Sequence, residues 1–276
     1  MLESLGYANG QASGLRALAV GKSIPVLTVR GTGGGAGASL VVAGLAHGLG
    51  RYYRTLVLDY RSGEGSLASI MGLRVRFDGR SVVNGEVPWS HVRVPVVPHV
   101  DYIGLGRGTI ERMTIHHWRA LAVLMRQYDL VLVDGDGQML RSALGNALPL
   151  MLLVADGARS MGGMAADMFA APREGSLGLV INRVGSVTDC RQIRERVRHW
   201  VGGRVEIVDF GGLPLARLGD SDRQWRMVGR EDFSLPSLPD TLIRLPEAVQ
   251  AWLANQLMDG SMNSHRVSGQ GMGMRA

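Results

Sequence analysis

Apolar runs without polar interruptions alternate along the chain with segments whose apolar residues recur at helical spacing. Continuous runs of Val, Ile and Leu are typical of strands that a parallel sheet buries on both faces. The pattern predicts strands at Ile24–Arg30, Thr55–Tyr60, Val100–Leu105, Asp129–Asp134, Leu150–Ala155, Leu177–Asn182 and Arg204–Asp209. It predicts helices at Ser39–Leu49, Thr109–Gln127, Gln138–Ala147, Ser160–Ala170, Asp189–Val201, and from Thr241 or Pro246 to Met258. Repeated strand–helix units predict an α/β fold, a doubly wound, mostly parallel sheet with helices on both faces.

The same pattern predicts one large domain with short additions at either end. Residues 1–22 form an N-terminal extension, and residues 23–258 form the α/β domain. Residues 259–276 are rich in Gly, Ser and Met, a composition typical of a disordered tail. Within the domain, Gly72–His99 contains several Gly and Pro residues and predicts a long irregular excursion, whose role the sequence does not indicate.

Composition narrows the class of protein without indicating an activity. The 276 residues are 46% apolar, which is enough for a sizeable core, and no apolar run approaches the ~18–20 residues that span a bilayer. The first residues lack the charged and apolar regions of a signal peptide. Cys190 is the only cysteine, so an intrachain disulfide is excluded. These features together predict a cytoplasmic protein.

The net charge of +6 permits contact with nucleic acid or anionic lipid, and a generic arginine-rich surface explains it equally well. One predicted helix is strongly basic. If Ile193 and Val197 face the core, then Arg191, Arg194 and Arg198 face solvent. Two interpretations stay open for these arginines, a contact surface for DNA or anionic lipid and an ordinary solvated helix face.

A glycine-rich stretch, Gly31–Leu40 (GTGGGAGASL), lies between the first predicted strand and the first predicted helix. This arrangement places backbone N–H groups and a helix N-terminus around a phosphate. The full motif ends in Gly-Lys-Ser/Thr, in which the lysine neutralises phosphate charge and the hydroxyl binds Mg²⁺. Here Gly37, Ala38 and Ser39 keep the glycine and the hydroxyl but not the lysine. Lys22 is the only lysine in the chain, and the other basic residues of its Lys and Arg total are arginines. A general use of arginine in place of lysine would have left an arginine at position 38, so it does not explain the alanine there.

Two carboxylates end predicted strands of the same sheet. Asp59 follows Leu56–Leu58, and Asp134 follows Leu130–Val133. The carboxyl ends of parallel strands form the edge at which α/β sheets bind ligands. Asp134 is therefore a candidate for the Mg²⁺ shell, and Asp59 is a candidate for orienting a water molecule. The alternative is that each aspartate only caps the turn that follows it.

These motifs resemble the ParA/MinD superfamily of P-loop ATPases, whose phosphate loop has the form KGGxGK[ST]. The resemblance extends from about Pro25 to Trp252. The loop matches except at Ala38, and Gly33 stands where the family has the signature lysine that reaches across a dimer. The nucleotide contacts that the resemblance implies are Gly34, Gly35, Ala36, Gly37, Ala38, Ser39, Leu40, Asn182 and Pro214.

The resemblance also implies roles for residues outside the loop. Asn182 and Arg183 resemble a strand-end pair whose asparagine contacts adenine, and Pro214 resembles a later segment near the base. Asp134 matches the aspartate that, with Ser39, holds Mg²⁺. Asp59 matches the first aspartate of the family's DxD segment, the water-orienting position, although Arg61 replaces the second.

Within the superfamily, the GGxGAS form of the loop is similar to that of CpaE/TadZ proteins, which localise type IV pilus machinery. A second similarity, carried by Asn84–Trp89, is to BcsQ-type proteins of cellulose synthesis. Because both lysines are missing, this resemblance predicts weak or absent ATP hydrolysis and a role as a localisation or scaffolding accessory. The machine served would be an envelope-associated pilus, secretion or exopolysaccharide apparatus.

The resemblance also suggests partners and a place in the cell. It implies a homodimer, or a heterodimer with a ParA/MinD-like protein, together with a protein partner from the machine. Recruitment to the inner membrane or the cell pole, with peripheral membrane contact, would follow from such a partner. Whether ATP or ADP binds with Mg²⁺ stays open, and the alternative function is an active partition-type ATPase that binds nonspecific DNA.

Overall fold

A single sheet forms the centre of the computed structural model, which describes residues 24–33, 35–60, 66–106, 108–135, 149–156, 175–184, 187–201, 205–214 and 244–256. In chain order its eight strands are β1 Val26–Gly31, β2 Thr55–Asp59, β3 Val94–Val97, β4 Val100–Gly104, β5 Leu130–Asp134, β6 Pro149–Asp156, β7 Gly175–Val184 and β8 Val205–Pro214. Across the sheet they follow the order β3-β4-β2-β5-β1-β6-β7-β8. Every pair is parallel except β3 with β4, which is antiparallel. This topology confirms the predicted fold class.

The described helices lie on both faces of the sheet and are numbered in chain order. They are α1 Ala38–Leu49, α2 Leu67–Ile70, α3 Gly79–Val83, α4 Thr109–Arg112, α5 Ile115–Met125, α6 Val187–Val201 and α7, residues 244–256. A 3₁₀ turn covers Trp89–His91. None of the helices in the described part of the chain has the length and apolar character needed to cross a bilayer.

Burial on both faces explains why the strands are uninterrupted apolar runs. In β5, Leu130 and Leu132 pack on one face in a core cluster shared with α1 and α7. Val131 and Val133 pack on the opposite face, in a cluster shared with α5. Because side chains alternate between faces along a strand, a strand with no exposed face needs apolar residues at every position.

The predicted helix Thr109–Gln127 is two helices, because α4 ends where the chain becomes extended at Met113 and α5 begins afterwards. Thr114 caps α5, and its backbone N–H donates to Nδ1 of His117 at 3.1 Å, which completes a reciprocal capping box. A histidine in this position replaces the usual Glu or Gln. The apolar spacing continues through Thr114, but the hydrogen bonds at this residue start a new helix, and the segment is therefore two helices.

The predicted excursion Gly72–His99 is more ordered than expected, since it contains α3, the 3₁₀ turn and the edge strand β3. Gly79 explains how closely it packs on the sheet, because a Cβ there would lie 2.9 Å from the carbonyl oxygen of Leu105. The predicted helices Gln138–Ala147 and Ser160–Ala170 lie outside the described residues. So do the segments 1–22 and 259–276.

Candidate functional site

The glycine-rich loop leaves the end of β1, the strand at the middle of the sheet, and leads into α1. The Thr32 N–H donates to the carbonyl oxygen of Val154 at 3.0 Å, which ties the loop to β6. Gly35 and Gly37 have φ values of 77° and 93°, in the left-handed region that favours glycine. Gly34 lies outside the described residues. The described part of the loop therefore has the curled backbone that the sequence predicts.

Ala38 begins α1 at the position where the phosphate-loop lysine is expected, and its side chain is only 4% exposed. It belongs to the same apolar cluster as the residues of α1 and β1. Gly31 faces it, because a Cβ on Gly31 would lie 3.5 Å from that of Ala38 and 3.0 Å from that of Ala36. This position therefore carries an apolar packing contact and no cation.

The start of α1 offers backbone donors for an anion. Gly37 is the N-cap, and no side chain caps the helix at that residue. The first N–H groups of a helix have no acceptor within it, so those of Ala38, Ser39 and Leu40 point toward the loop. The Val41 N–H makes the first intrahelical bond, to the carbonyl oxygen of Gly37 at 3.0 Å. The start of α1 thus has the kind of backbone donors that phosphate sites use.

The two strand-end aspartates lie side by side. Asp59 and Asp134 are register partners at the carboxyl ends of β2 and β5, and both are fully buried. Val29 of β1 is the register partner of Asp134 on its other side, so the carboxylates lie next to the strand that carries the loop. The structure therefore brings Asp59, Asp134 and the loop to one edge of the sheet, where the sequence predicts them.

Tyr102 belongs to this group of residues, although sequence reasoning did not identify it. Its hydroxyl donates to Oδ2 of Asp59 at 2.9 Å, and the tyrosine is 2% exposed. Burial, followed by the charge of Asp59 and the hydrogen bond to it, raises the pKa of Tyr102 far above its ordinary value. The hydroxyl therefore stays a donor throughout the physiological pH range.

Asn182 reaches the phosphate loop from the end of β7. Its Nδ2 donates to the carbonyl oxygen of Ala36 at 2.8 Å, and its Oδ1 accepts from the Arg183 N–H at 2.9 Å. The structure thus places Asn182 against the loop, close to where the resemblance implies a nucleotide contact. Pro214 ends β8 as the register partner of Val184, so it lies at the same end of the sheet.

The three arginines predicted on the basic helix occupy different environments. Arg191 and Arg198 of α6 are exposed. Arg194 forms an ion pair with Asp209 of β8. Its charge is therefore partly neutralised within the fold, whereas the other two face solvent as the sequence predicts.

A cavity of about 490 Å³ lies beside Asp59, at the carboxyl end of β4. Its lining includes Tyr102 and Gly104 of β4 together with the charged residues Arg76, Asp78 and Glu86. Asp78 accepts from the Arg80 side chain at 2.8 Å, so the charges that line this cavity are partly paired with one another.

The donor set fits Mg²⁺ only together with a nucleotide. Ser39 supplies a hydroxyl and Asp134 a carboxylate, and Mg²⁺ prefers oxygen ligands and completes its shell with phosphate and water. Within the described ranges, no three His, Cys, Asp or Glu side chains form a group that could hold a metal. The residues present would therefore bind Mg²⁺ as part of a metal–nucleotide complex.

No family model matches the chain, and no curated protein matches its sequence. Solved structures match its fold. A putative plasmid partition protein from Borrelia burgdorferi B31, bound to AMPPNP, has 16% identity and a TM-score of 0.59, covering 85% of this chain and 100% of its own. MinD from Pyrococcus horikoshii, complexed with Mg-ADP, has 18% identity and a TM-score of 0.53, covering 83% of this chain and 96% of its own. MinD from Aquifex aeolicus has 18% identity and a TM-score of 0.51, covering 91% and 100%.

At 16–18% identity this likeness shows the fold alone, which is that of the ParA/MinD P-loop ATPases. Two of these solved structures contain a nucleotide, AMPPNP in one and Mg-ADP in the other. Activity and partners have to be argued from the residues of this chain.

Proposed function

We propose that the chain is a ParA/MinD-like pseudo-ATPase, a P-loop protein in which ATP hydrolysis is weak or absent. It acts as a localisation or scaffolding accessory of an envelope-associated machine such as a pilus, secretion or exopolysaccharide apparatus. The observation that carries the proposal is Ala38, a buried apolar contact at the position of the phosphate-loop lysine.

The chemistry of phosphoryl transfer explains why an alanine at position 38 should impair ATP hydrolysis. Catalysis in P-loop proteins depends mainly on positive charge placed against the transferring phosphate. Removing one such group typically raises the barrier by roughly 3–4 kcal/mol, a loss of ~10²–10³-fold in rate. Gly33 supplies no cation at the second lysine position either. Binding can survive better than catalysis, because the backbone donors and Ser39 remain.

Calorimetric titration of ATP and ADP, with and without Mg²⁺, tests the proposal on the wild type and on Ala38→Lys. We expect the lysine variant to bind Mg-ATP at least about tenfold more tightly than the wild type, since it restores the missing charge. Ala38→Met is the matched control, because it adds similar length without charge. A phosphate-release assay gives the deciding rate, and the proposal is wrong if the wild type hydrolyses ATP at about 1 s⁻¹ or faster.

The alternative function, an active partition-type ATPase that binds nonspecific DNA, is favoured by the exposed arginines of α6. Fluorescence anisotropy with a random DNA duplex at about 50 and 200 mM salt tests it, since phosphate contacts weaken steeply with salt. Arg191→Glu combined with Arg198→Glu would abolish binding if α6 is the contact surface. Arg119→Glu combined with Arg126→Glu makes the same charge change at exposed positions at or near α5 and would leave binding intact.

Localisation and partners follow from the scaffolding proposal. The protein would act in the cytoplasm and be recruited to the inner membrane or cell pole by a component of its machine. Imaging of a fluorescent fusion in cells with and without that machine tests this part. Diffuse signal in both strains would contradict it.

A further inference from the structure

The amide of Asn182 is held at both ends within the protein. Its Nδ2 donates to the carbonyl oxygen of Ala36, 146 residues away in sequence, and its Oδ1 accepts from the Arg183 N–H. Arg183 has a φ of 57°, a conformation that costs energy for a residue other than glycine. The bond between neighbouring residues thus fixes the side-chain orientation that points Nδ2 at the loop.

The loop is shaped to receive this side chain. A Cβ on Gly37 would overlap Nδ2 of Asn182 and lie 3.4 Å from its Cγ. Glycine at position 37 therefore meets two requirements, the left-handed φ of 93° and the space that Asn182 occupies. The strand behind Asn182 is firmly held, because β7 pairs with β6 on one side and β8 on the other.

A hydrogen bond at this place controls more than one atom of the loop. A trans peptide unit is planar and points its C=O and N–H in opposite directions. By holding the Ala36 carbonyl, Asn182 therefore also fixes the direction of the Gly37 N–H. Backbone N–H groups are what such a loop offers to a phosphate.

We propose that Asn182 is a positioning residue for the phosphate loop, which acts on phosphate binding whatever base is attached. This assignment rests on the proposed function for its ligand, a polyphosphate, but the contact with Ala36 is present without one. It differs from the role that the family resemblance implies, in which the asparagine contacts adenine. The two roles predict different results for a ligand that has no base.

The experiment compares inorganic tripolyphosphate with ATP, both with Mg²⁺, by calorimetric titration. Asn182→Asp keeps the shape of the side chain but turns a donor into an acceptor facing the Ala36 carbonyl. We expect its affinity for both ligands to fall by the same factor, about tenfold or more. Asn255→Asp adds the same charge at an exposed position of α7 and should leave both affinities unchanged. Unchanged affinity for tripolyphosphate combined with weaker binding of ATP would overturn the inference in favour of a base contact.

Hydrogen exchange in the nucleotide-free protein gives a second readout that needs no ligand. In Asn182→Ala we expect the hydrogen-bonded amides of Thr32, Ala36 and Val41 to exchange at least about tenfold faster than in the wild type, while those of residues 43–49 keep their rates. If the wild type binds neither tripolyphosphate nor ATP, the proposed lack of hydrolysis still stands, and exchange alone decides whether Asn182 shapes the loop. Unchanged exchange of the Thr32, Ala36 and Val41 amides would overturn the inference.

Discussion

At the residue scale, Tyr102 and Gly104 of β4 form a unit with the buried carboxylate of Asp59. The two residues lie on the same face of the strand, and a Cβ on Gly104 would lie 3.0 Å from the tyrosine hydroxyl oxygen. The tyrosine ring therefore extends over the glycine toward the end of β2. Such a bond depends on the register between strands, so no local pattern in the sequence could have indicated it.

Replacing Tyr102 with phenylalanine removes this donor and keeps the ring. We expect the free energy of unfolding to fall by about 1.5–3 kcal/mol, the range for a hydrogen bond to a charged group. Urea unfolding at pH 7 measures the loss. Tyr52→Phe is the control, because Tyr52 is 52% exposed and its change should have little effect. Equal effects of the two variants would contradict the importance of the bond to Asp59.

Tyr128 makes the stability of the protein depend on pH in the alkaline range. Burial, and then its hydrogen bond to Asp101 at 2.6 Å, raises the pKa of Tyr128 to about 12. In the unfolded chain the pKa of a tyrosine is ~10. Between those values the unfolded chain has lost a proton that the native state keeps, so stability falls as pH rises. The contribution is complete below pH ~10 and is lost as pH approaches 12.

Unfolding by urea at pH 9, 10 and 11 checks this expectation. Tyr128→Phe should flatten the decline between pH 10 and 11 relative to the wild type, because one titrating group is gone. Tyr53→Phe removes another tyrosine and serves as the control. A decline as steep in Tyr128→Phe as in the wild type would show that other groups cause it.

At the scale of elements, α7 is an integral layer of the fold. Gly48 of α1 has no side chain where Pro246 packs, since a Cβ there would overlap the proline ring. Trp252 donates from its indole nitrogen to the Ser176 hydroxyl at 3.0 Å and packs edge-on against Phe210 with ring centres 5.6 Å apart. These contacts bury the apolar face of α7 against the sheet.

Trp252→Ala should therefore lower the free energy of unfolding by roughly 3–5 kcal/mol, the usual cost of removing a large buried aromatic side chain. Thermal or urea unfolding measures it. Asn255→Ala, at an exposed position of the same helix, should change stability by less than about 0.5 kcal/mol. A small effect of Trp252→Ala would mean that the helix is not needed for the core.

Strands were the elements that the sequence predicted best, because burial on both faces leaves an apolar run that cannot be confused with an amphipathic helix. The edge strand β3 was missed because it is only four residues long and contains Pro95. The break between α4 and α5 was missed because His117 supplies the capping contact, in place of the Glu or Gln that usually marks a helix start.

Within the site, the amino-acid sequence of the loop was enough to identify Ser39 and the missing lysine. The Asn182 contact joins distant segments and required the three-dimensional structure.

At the scale of the whole molecule, the proposed function predicts a dimer that bound nucleotide would stabilise without being consumed. The ParA/MinD resemblance implies a dimer, and a site that lacks both lysines would keep bound ATP intact. We expect Mg-ATP to shift the sedimentation coefficient toward a dimer and the shift to persist for hours. ADP under the same conditions should give a smaller shift. A dimer that decays in ATP but persists in AMPPNP would contradict this, because it would indicate hydrolysis.

The central position of β1 has a consequence for folding during synthesis. β1 is made before both of its partners, β5 and β6, which begin more than a hundred residues later at Leu130 and Pro149. Pairing that spans such a long stretch of chain is slow, because loop closure must come first. The bond from Thr32 to Val154 can form only after β6 has left the ribosome. The loop therefore takes its final shape only after more than a hundred further residues have been made, and its glycine-rich segment stays unprotected until then.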